Sequence, residues 1–507
     1  MTENPKIKDI LELAEIISDL KKDKSVVLCH GVFDLVHVGH IRHFKQAKNN
    51  NDILIVTITP DIFVNKGPNR PAFHQELRAE AVASLDMVDF VAINNWPTAI
   101  ETIKLLKPNF YAKGSEYQNN QNDVTGKISE EEAAIKSIGG KMVFTEGIVF
   151  SSSKLINEYF NPFPENVMKY LHGFSSRYST DDVTRYLHQA QKIQVLVIGE
   201  AIIDEYFFTT GIGMTTKDPI VAMRYLSDEK YIGGIVSVAN HVANFCDHVG
   251  MLAMIGEETP QLEFIQKHIA NNIDPSYFSK SKSPTIVKRR YIDEYTMNKL
   301  FEVQQINDEE LDCDQSKQLC DILEKIIPNY DLVIVVDFGH GMLSKEAINI
   351  ICQHAKFLVV NTQANAGSRG FNVISKYHRA DFICLNVNEL FLEERSREKN
   401  IHSMIKHVSQ KVNCGKIIVT MGKLGCICYD KQEGFFEIPA FAQKVIDRMG
   451  SGDAMIAITS LCVIQKAPME IVGFIGNAVA AQAVVIVGHR SFIEKASLLK
   501  SIVTLMK

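Results

Sequence analysis

Two stretches of this chain alternate short β-branched runs with helical patterns, and that alternation constrains the fold more than any other feature. In the first stretch, residues 25–28, 53–58, 88–93, 110–113 and 141–145 read as strands. Helical patterns lie between them, over 39–48, 97–106 and 130–138. Strands separated by helices predict βαβ units and a parallel sheet, hence an α/β fold. The rhythm stops near Tyr159 and resumes at 193–198, with buried-type runs at 332–336, 357–360, 382–385, 416–420 and 425–429. A chain of 507 residues exceeds what one core usually serves, so two sheets in sequence predict two domains. The boundaries read as an N-terminal helix over 1–24, a first domain over 25–160, a helical connector over 161–191 and a second domain over 192–507.

Composition narrows the function classes. The net charge is −6, from 54 basic and 60 acidic residues, which argues against binding nucleic acid through bulk charge. Ten cysteines form no CxxC pair and no zinc spacing, so a reducing cytoplasm fits best and no metal ligands are assigned. Cys426 and Cys428 sit two apart in a strand-like run and share a face. Residues 1–24 place Ile10, Leu13, Ile17 and Leu20 at helical spacing between charges, which is no signal peptide. The longest apolar stretches, near 454–464 and 478–488, are about half the roughly 20 residues a membrane span needs, so they read as buried elements and no membrane partner is expected.

The run HGVFDLVHVGH over residues 30–40 follows a strand and opens a helix. Phosphates are stabilised at a helix start by free N–H donors and the helix dipole. His37 and His40, three apart, put both rings on one side of the first turn, where imidazoles add donors. Gly31 and Gly39 let the backbone approach a ligand closely.

This run resembles the GxFDxxHxGH signature of the cytidylyltransferase-like nucleotidyltransferases. Further similarities follow in order: Lys66, Arg70-Pro71, Glu76 and Arg78; Leu85 to Asp89; Lys107-Pro108; Lys113-Gly114; and the serine run at 151–153. The resemblance covers about residues 25–160 and implies a Rossmann-like domain for nucleotidyl transfer. It implies catalytic roles for His37, His40 and Lys66. It implies nucleotide or phosphate contacts for Gly31, Phe33, Asp34, Gly39, Arg78, Lys113, Ser152 and Ser153.

A second constellation stands at residues 445–455, VIDRMGSGDAM. Gly450, Ser451 and Gly452 lead into an apolar helix, and consecutive N–H groups at a helix start make an anion cradle. Asp453 lies within it, where a carboxylate could take a proton from an alcohol. The segment resembles the DTxGAGD signature of ribokinase-type (PfkB) sugar kinases. Other landmarks of that family have counterparts here, in order. They are Asp204 near a first strand, the loop from Gly233 and Gly234 to Ser237, Lys288 in a TxxKxR-like strand, and Asn386 with Glu389. Thr420, Gly422 and Gly425, then Asn477, complete them. The resemblance covers about residues 192–507 and implies a ribokinase-like fold. Asp453 would be the base, residues 450–452 the anion hole, and Asp204, Gly233, Gly234 and Ser237 the sugar pocket. Lys288 would neutralise a phosphate already on the sugar. Asn386, Glu389, Thr420, Gly422, Gly425 and Asn477 would lie on the nucleotide side. The pattern departs at Ser237 (Asn in the family loop), at residues 361–363 (often Asp-Pro-Lys) and at Arg448 (usually Thr).

Together the two halves resemble the bifunctional heptose-phosphate kinase/nucleotidyltransferases of ADP-heptose synthesis, with the order of domains inverted. The resemblance implies a sugar phosphate substrate, ATP or CTP as nucleotide, Mg2+, and a homodimer. Two alternatives stay open: a CTP-dependent transferase for another sugar or alcohol phosphate, and a kinase-like half that serves only binding or dimerisation.

Overall fold

The computed structural model describes residues 4–49, 52–64, 71–114, 127–145, 163–395 and 400–507. The chain divides into two compact units, Met1–Pro164 with Leu499–Lys507, and Glu165–Leu498.

In the first unit, strands β1 (Val26–Gly31), β2 (Ile53–Ile58), β3 (Phe90–Ile93), β4 (Phe110–Gly114) and β5 (Lys141–Thr145) form one parallel sheet in the order β3-β2-β1-β4-β5. All six residues of β2 are buried, as expected for a parallel sheet covered on both faces. Alternate residues feed two cores. Val26, Leu28, Ile53 and Ile55 pack with Ile10, Leu13 and Ile17 of the helix Ile10–Leu20. Val27, Cys29, Leu54 and Val56 pack on the other face with Phe33, Phe44 and Val82. The strand order reverses between β1 and β4. Ligands of open α/β sheets bind outside the carboxyl ends of strands at such a switch point, which here carries His30-Gly31 and Lys113-Gly114.

The second unit holds a twelve-stranded sheet. Its first strand, β6 (Val195–Met214), runs far beyond the expected 193–198. Its early part pairs in parallel with β8 (Val249–Gly256) and β12 (Leu332–Asp337). From Ile202 onward it pairs with β7 (Val221–Gly233) and β10 (Ile286–Asp293), and β11 (Lys299–Gln305) lies beyond β10. The outer end, from Gly211 to Met214, is exposed and lacks the buried apolar run by which a strand is read from sequence. From β12 the sheet continues through β13 (Leu358–Thr362), β14 (Phe382–Asn386) and β15 (Lys416–Thr420), then antiparallel β16 (Cys426–Asp430) and β17 (Gly434–Ile438). The apolar stretch near 454–464 lies in the helix Ser451–Ile464, and that near 478–488 covers the end of the helix Met469–Ala483 and the turn after it; both helices are buried along nearly their whole length. Residues 161–191, expected as a connector, carry helices Glu165–Arg177 and Thr180–Gln189, which are part of this unit. Phe174 stacks on Phe474 at 4.2 Å, so the first of these helices is packed rather than spanning. The Cys426 and Cys428 sulfurs lie 3.8 Å apart on one strand face, and all ten cysteines are free thiols. Among the described residues no helix is long and apolar enough to cross a membrane.

Candidate active sites

In the first unit the helix Val38–Ala47 opens beside the carboxyl end of β1, and His37 is its N-cap. The Nδ1 of His37 accepts from the Gly39 N–H at 3.1 Å. A ring nitrogen that accepts carries no proton, so the neutral ring bears its proton on Nε2. Burial lowers the pKa of His37, which holds the ring neutral at pH 7. Its Nε2 is buried and has no partner among the described residues. The His40 ring stacks on it, centroids 3.9 Å apart and planes 23° apart. Phe33 meets His40 edge-on at 5.4 Å. Phe33 and Leu35 adopt left-handed backbone (φ 49° and 51°), a conformation costing about 1–3 kcal/mol each and typical of functional loops. A Cβ on Gly31 would stand 3.2 Å from the Phe33 ring, so a larger residue would push that ring toward the histidines.

The neighbours expected to bind phosphate divide. Lys113, at the end of β4, pairs with Glu131 at 2.9 Å and lies across the switch point. Asp34 is buried, and its carboxylate accepts from the N–H groups of Ala72 and Phe73 at 2.8 and 3.2 Å. It braces a loop. Arg78, expected to contact the nucleotide, is likewise bonded within the protein. Its guanidinium is 1% exposed and donates to the carbonyls of Phe73, Val32 and Thr59 and to Asp61. It ties segments together and has almost no donor left for phosphate. Lys66, Ser152 and Ser153 lie outside the described residues. Two histidines join the cluster unread from sequence. The His30 ring nitrogens face Thr57 and Thr59 at 2.9 and 3.3 Å, and His43 faces Thr145 at 2.7 Å. Burial, reinforced by the Lys113 charge, pushes both down to about 4.

In the second unit Gly450, at φ 74°, caps the helix Ser451–Ile464, and no side chain caps that start. Its first N–H groups, those of Ser451 and Gly452 included, are therefore open. Asp453 lies in the first turn, buried, with Oδ1 accepting from Gln363 Nε2 at 2.8 Å. Burial raises its carboxyl pKa, against His489, Gln363 and Lys288, which lower it. Asp204, buried on β6, pairs through Oδ1 with Arg290, which also bonds Glu302 at 2.6 Å. Its Oδ2 stands 3.7 Å from His489 Nε2. A Cβ on Gly233 would come within 2.3 Å of that oxygen, and one on Gly234 within 2.4 Å of the Glu200 carbonyl, so this loop requires both glycines. Ser237 is buried, its hydroxyl 2.9 Å from His489 Nδ1. Sheet register sets Lys288 opposite Asp204. Its ammonium has no hydrogen bond or ion pair among the described residues, and burial lowers its pKa.

The nucleotide-side residues turn out to hold structure. Asn386 and Glu389 form a capping box on the helix Val387–Glu394, with Glu389 accepting from the Asn386 N–H at 2.7 Å. Burial pushes Glu389 up to about 7. Thr420 pairs with Asn386 in register, hydroxyl to amide at 3.4 Å. Gly422 and Gly425 take positive φ in the following turn; a Cβ on Gly425 would stand 2.0 Å from the Ile438 carbonyl. The Asn477 amide donates to Cys426 Sγ and to the Gly473 carbonyl. Among the described residues no group of three or more His, Cys, Asp and Glu is arranged to hold a metal. Gln363, visible as a departure from the resembled pattern, donates to Asp453. His489 carried no signal in sequence, because its partners Ser237 and Asp204 are remote along the chain.

Comparison with known proteins assigns a family to each part of the chain. Residues 28–158 match the cytidylyltransferase-like family model, and residues 192–496, more than half of the chain, match that of the pfkB family carbohydrate kinases. Among curated proteins the chain is similar to the bifunctional protein HldE of Aliarcobacter butzleri, 37% identical over 142 residues, 27% of this chain and 29% of that one. The same-named protein of Campylobacter jejuni (strain RM1221) is 36% identical over 160 residues, 31% of this chain and 32% of that one. The chain thus spans less than a third of the length of these relatives. Among solved structures, phosphofructokinase-2 from Escherichia coli in complex with fructose-6-phosphate aligns with TM-score 0.49 and 16% identity, over 62% of this chain and 100% of that one. Ribokinase of Arabidopsis thaliana complexed with ribose and ATP aligns with TM-score 0.47 and 14% identity, over 62% and 99%. With a cytidylyltransferase-like nucleotidyltransferase domain ahead of it, the chain belongs to the pfkB family of carbohydrate kinases.

Proposed function

We propose that the chain is a bifunctional enzyme of nucleotide-sugar synthesis. The second unit phosphorylates a sugar phosphate of the heptose 7-phosphate kind with ATP. The first converts a sugar 1-phosphate and a nucleoside triphosphate, ATP in this reading, to a nucleotide sugar and pyrophosphate. The observation that carries the reading is His37, a half-buried neutral imidazole at a helix start, whose buried Nε2 donor has no partner among the described residues. A phosphate oxygen supplies the missing acceptor, and a buried unpaired donor otherwise costs about 1–3 kcal/mol.

In the first unit an oxygen of the sugar phosphate attacks the α-phosphorus. The bond to pyrophosphate breaks, and pyrophosphate leaves with the electron pair. His37 and His40 hold the charge that builds on the departing oxygens. In the second unit Asp453 takes the proton of a sugar hydroxyl, whose oxygen bonds to the γ-phosphorus as ADP departs. The open amides over residues 450–452 stabilise the transferring group. Lys288, a buried lysine with no hydrogen bond or ion pair among the described residues, supports an anionic group on the acceptor, which favours a sugar phosphate over a neutral sugar. Mg2+ brought by the nucleotide would be held mainly by the nucleotide's own phosphates and would supply neutralisation of their charge. The reading includes a cytoplasmic homodimer, by likeness to both kinds of domain.

Purified chain with a panel of sugar phosphates tests it. ADP release with ATP, and pyrophosphate release with ATP in preference to CTP, support the reading; pyrophosphate release with CTP alone changes the donor. Absence of both products across the panel refutes it.

A further inference from the structure

We infer that His489 is a specificity-determining residue of the kinase pocket, reading one hydroxyl of the acceptor sugar together with Asp204. The inference rests on the kinase reading above and deepens it. His489 stands where three parts of that site meet. Its Nδ1 faces the Ser237 hydroxyl at 2.9 Å, its Cε1 lies 2.4 Å from where a Cβ on Gly450 would be, and its Nε2 points toward Asp204 Oδ2 at 3.7 Å. The ring is 8% exposed and borders a small cavity that His241, Met449, Gly450 and Ser491 help to line.

In the tautomer in which the Ser237 O–H donates to Nδ1, Nε2 carries the ring proton. That donor and the Asp204 oxygen face each other across a gap too long for a hydrogen bond. Neither has another hydrogen-bond partner among the described residues, because the bond from Arg290 goes to the other Asp204 oxygen. A hydroxyl oxygen seated beside the pair, about 2.8 Å from each atom, accepts from Nε2–H and donates to Oδ2. A deoxy carbon at that position leaves both polar ends unpaired, and an inverted hydroxyl points away from them. Ser237 occupies the place of an asparagine in the resembled loop. The serine is shorter, and the imidazole it orients extends its reach into the pocket.

The test uses the full chain, ATP and a panel of sugar phosphates with the deoxy analogue at each hydroxyl, reading ADP release. The unaltered chain is expected to prefer one sugar over its deoxy analogue at one position by roughly tenfold or more. His489→Gln and Ser237→Ala are each expected to shrink that one ratio at least about fivefold, through KM more than kcat, while ratios at other positions persist. A loosened fold would lower all ratios alike. Thermal unfolding identifies a variant that no longer folds, in which case the other variant decides. Folded variants that keep the full ratio overturn the inference and leave the kinase reading standing. No ADP from the unaltered chain with any sugar overturns both.

Discussion

At His37 the proton sits on Nε2 because Nδ1 accepts from Gly39, so substitution there removes one directed donor. His37→Ala is expected to slow pyrophosphate release by roughly 10²–10³-fold, the usual effect of losing a single preorganised donor. His37→Gln, which keeps an N–H, should lose less; equal rates for all three forms in a pyrophosphate assay would remove His37 from the site. Asp453 makes a pH prediction with a definite sign. The base acts ionised, and burial raises its pKa, so ADP release should climb with pH along a limb set above the ordinary aspartate value of about 3.9. Gln363 donates to Oδ1 and favours the ionised form. Gln363→Leu should therefore move the limb to still higher pH, and an unmoved limb would assign the titration to another group. Asp453→Asn should release no ADP at any pH.

The helix starts themselves can be tested at the level of elements. Gly450 is left-handed and lies against His489, so Gly450→Ala both strains the backbone, by about 1–3 kcal/mol, and displaces that ring. Loss of ADP release with a lowered melting temperature is the expected pair of results; a fully active, equally stable variant contradicts the close approach. Arg78 joins the helix Gln75–Ala83 to the loop after β1 and the end of β2 through three carbonyls and Asp61. Arg78→Met removes donors from buried acceptors and should cost roughly 3–5 kcal/mol in denaturant unfolding of the first unit. Sequence placed Arg78 beside the nucleotide because a charged residue in a motif reads as a ligand contact. Its four acceptors become visible only when the loops it joins are folded. The first sheet and β12–β16 of the second were legible because a parallel sheet demands continuous apolar runs, whereas β7 and β11, with few buried positions, offered no such run, and β8, though buried, is poor in β-branched residues.

For the whole molecule, buried titrating groups give the two units opposite responses to acid. His30 and His43, held near 4, bind fewer protons folded than unfolded, so the first unit loses stability as pH falls from about 6.5 toward 4. In the second unit Glu200 and Glu389 are pushed up to about 7, chiefly by burial. They bind more protons folded, so their contribution fades as pH rises from the ordinary glutamate value of about 4.3 through 7. His241, pushed down to about 3 by burial, opposes them in acid. The first unit should therefore open before the second when pH is lowered from 7 to 5, by a difference of order 1–3 kcal/mol. Hydrogen exchange of β1–β5 amides against β12–β15 amides at both pH values measures it; equal loss of protection in the two sheets would contradict the assignment of these buried groups.

Sequence by itself determined the two α/β sheets, the order of the two domains and the two helix openings that carry the candidate sites. Strand–helix periodicity, glycine turns and N-capping histidines are local properties, legible within a few turns of chain. Only the tertiary structure decided which polar groups remain free to act. It occupied Arg78, Asp34, Asn386 and Glu389 with structural bonds, and among the described residues it gave His37 Nε2 and the Lys288 ammonium no partner. It also brought Gln363 to Asp453 and His489 to Ser237, pairs 90 and 252 residues apart. Whether a donor is free depends on every group that folding brings near it, and that sum is set by packing over the whole unit, not by the residues beside it in the chain.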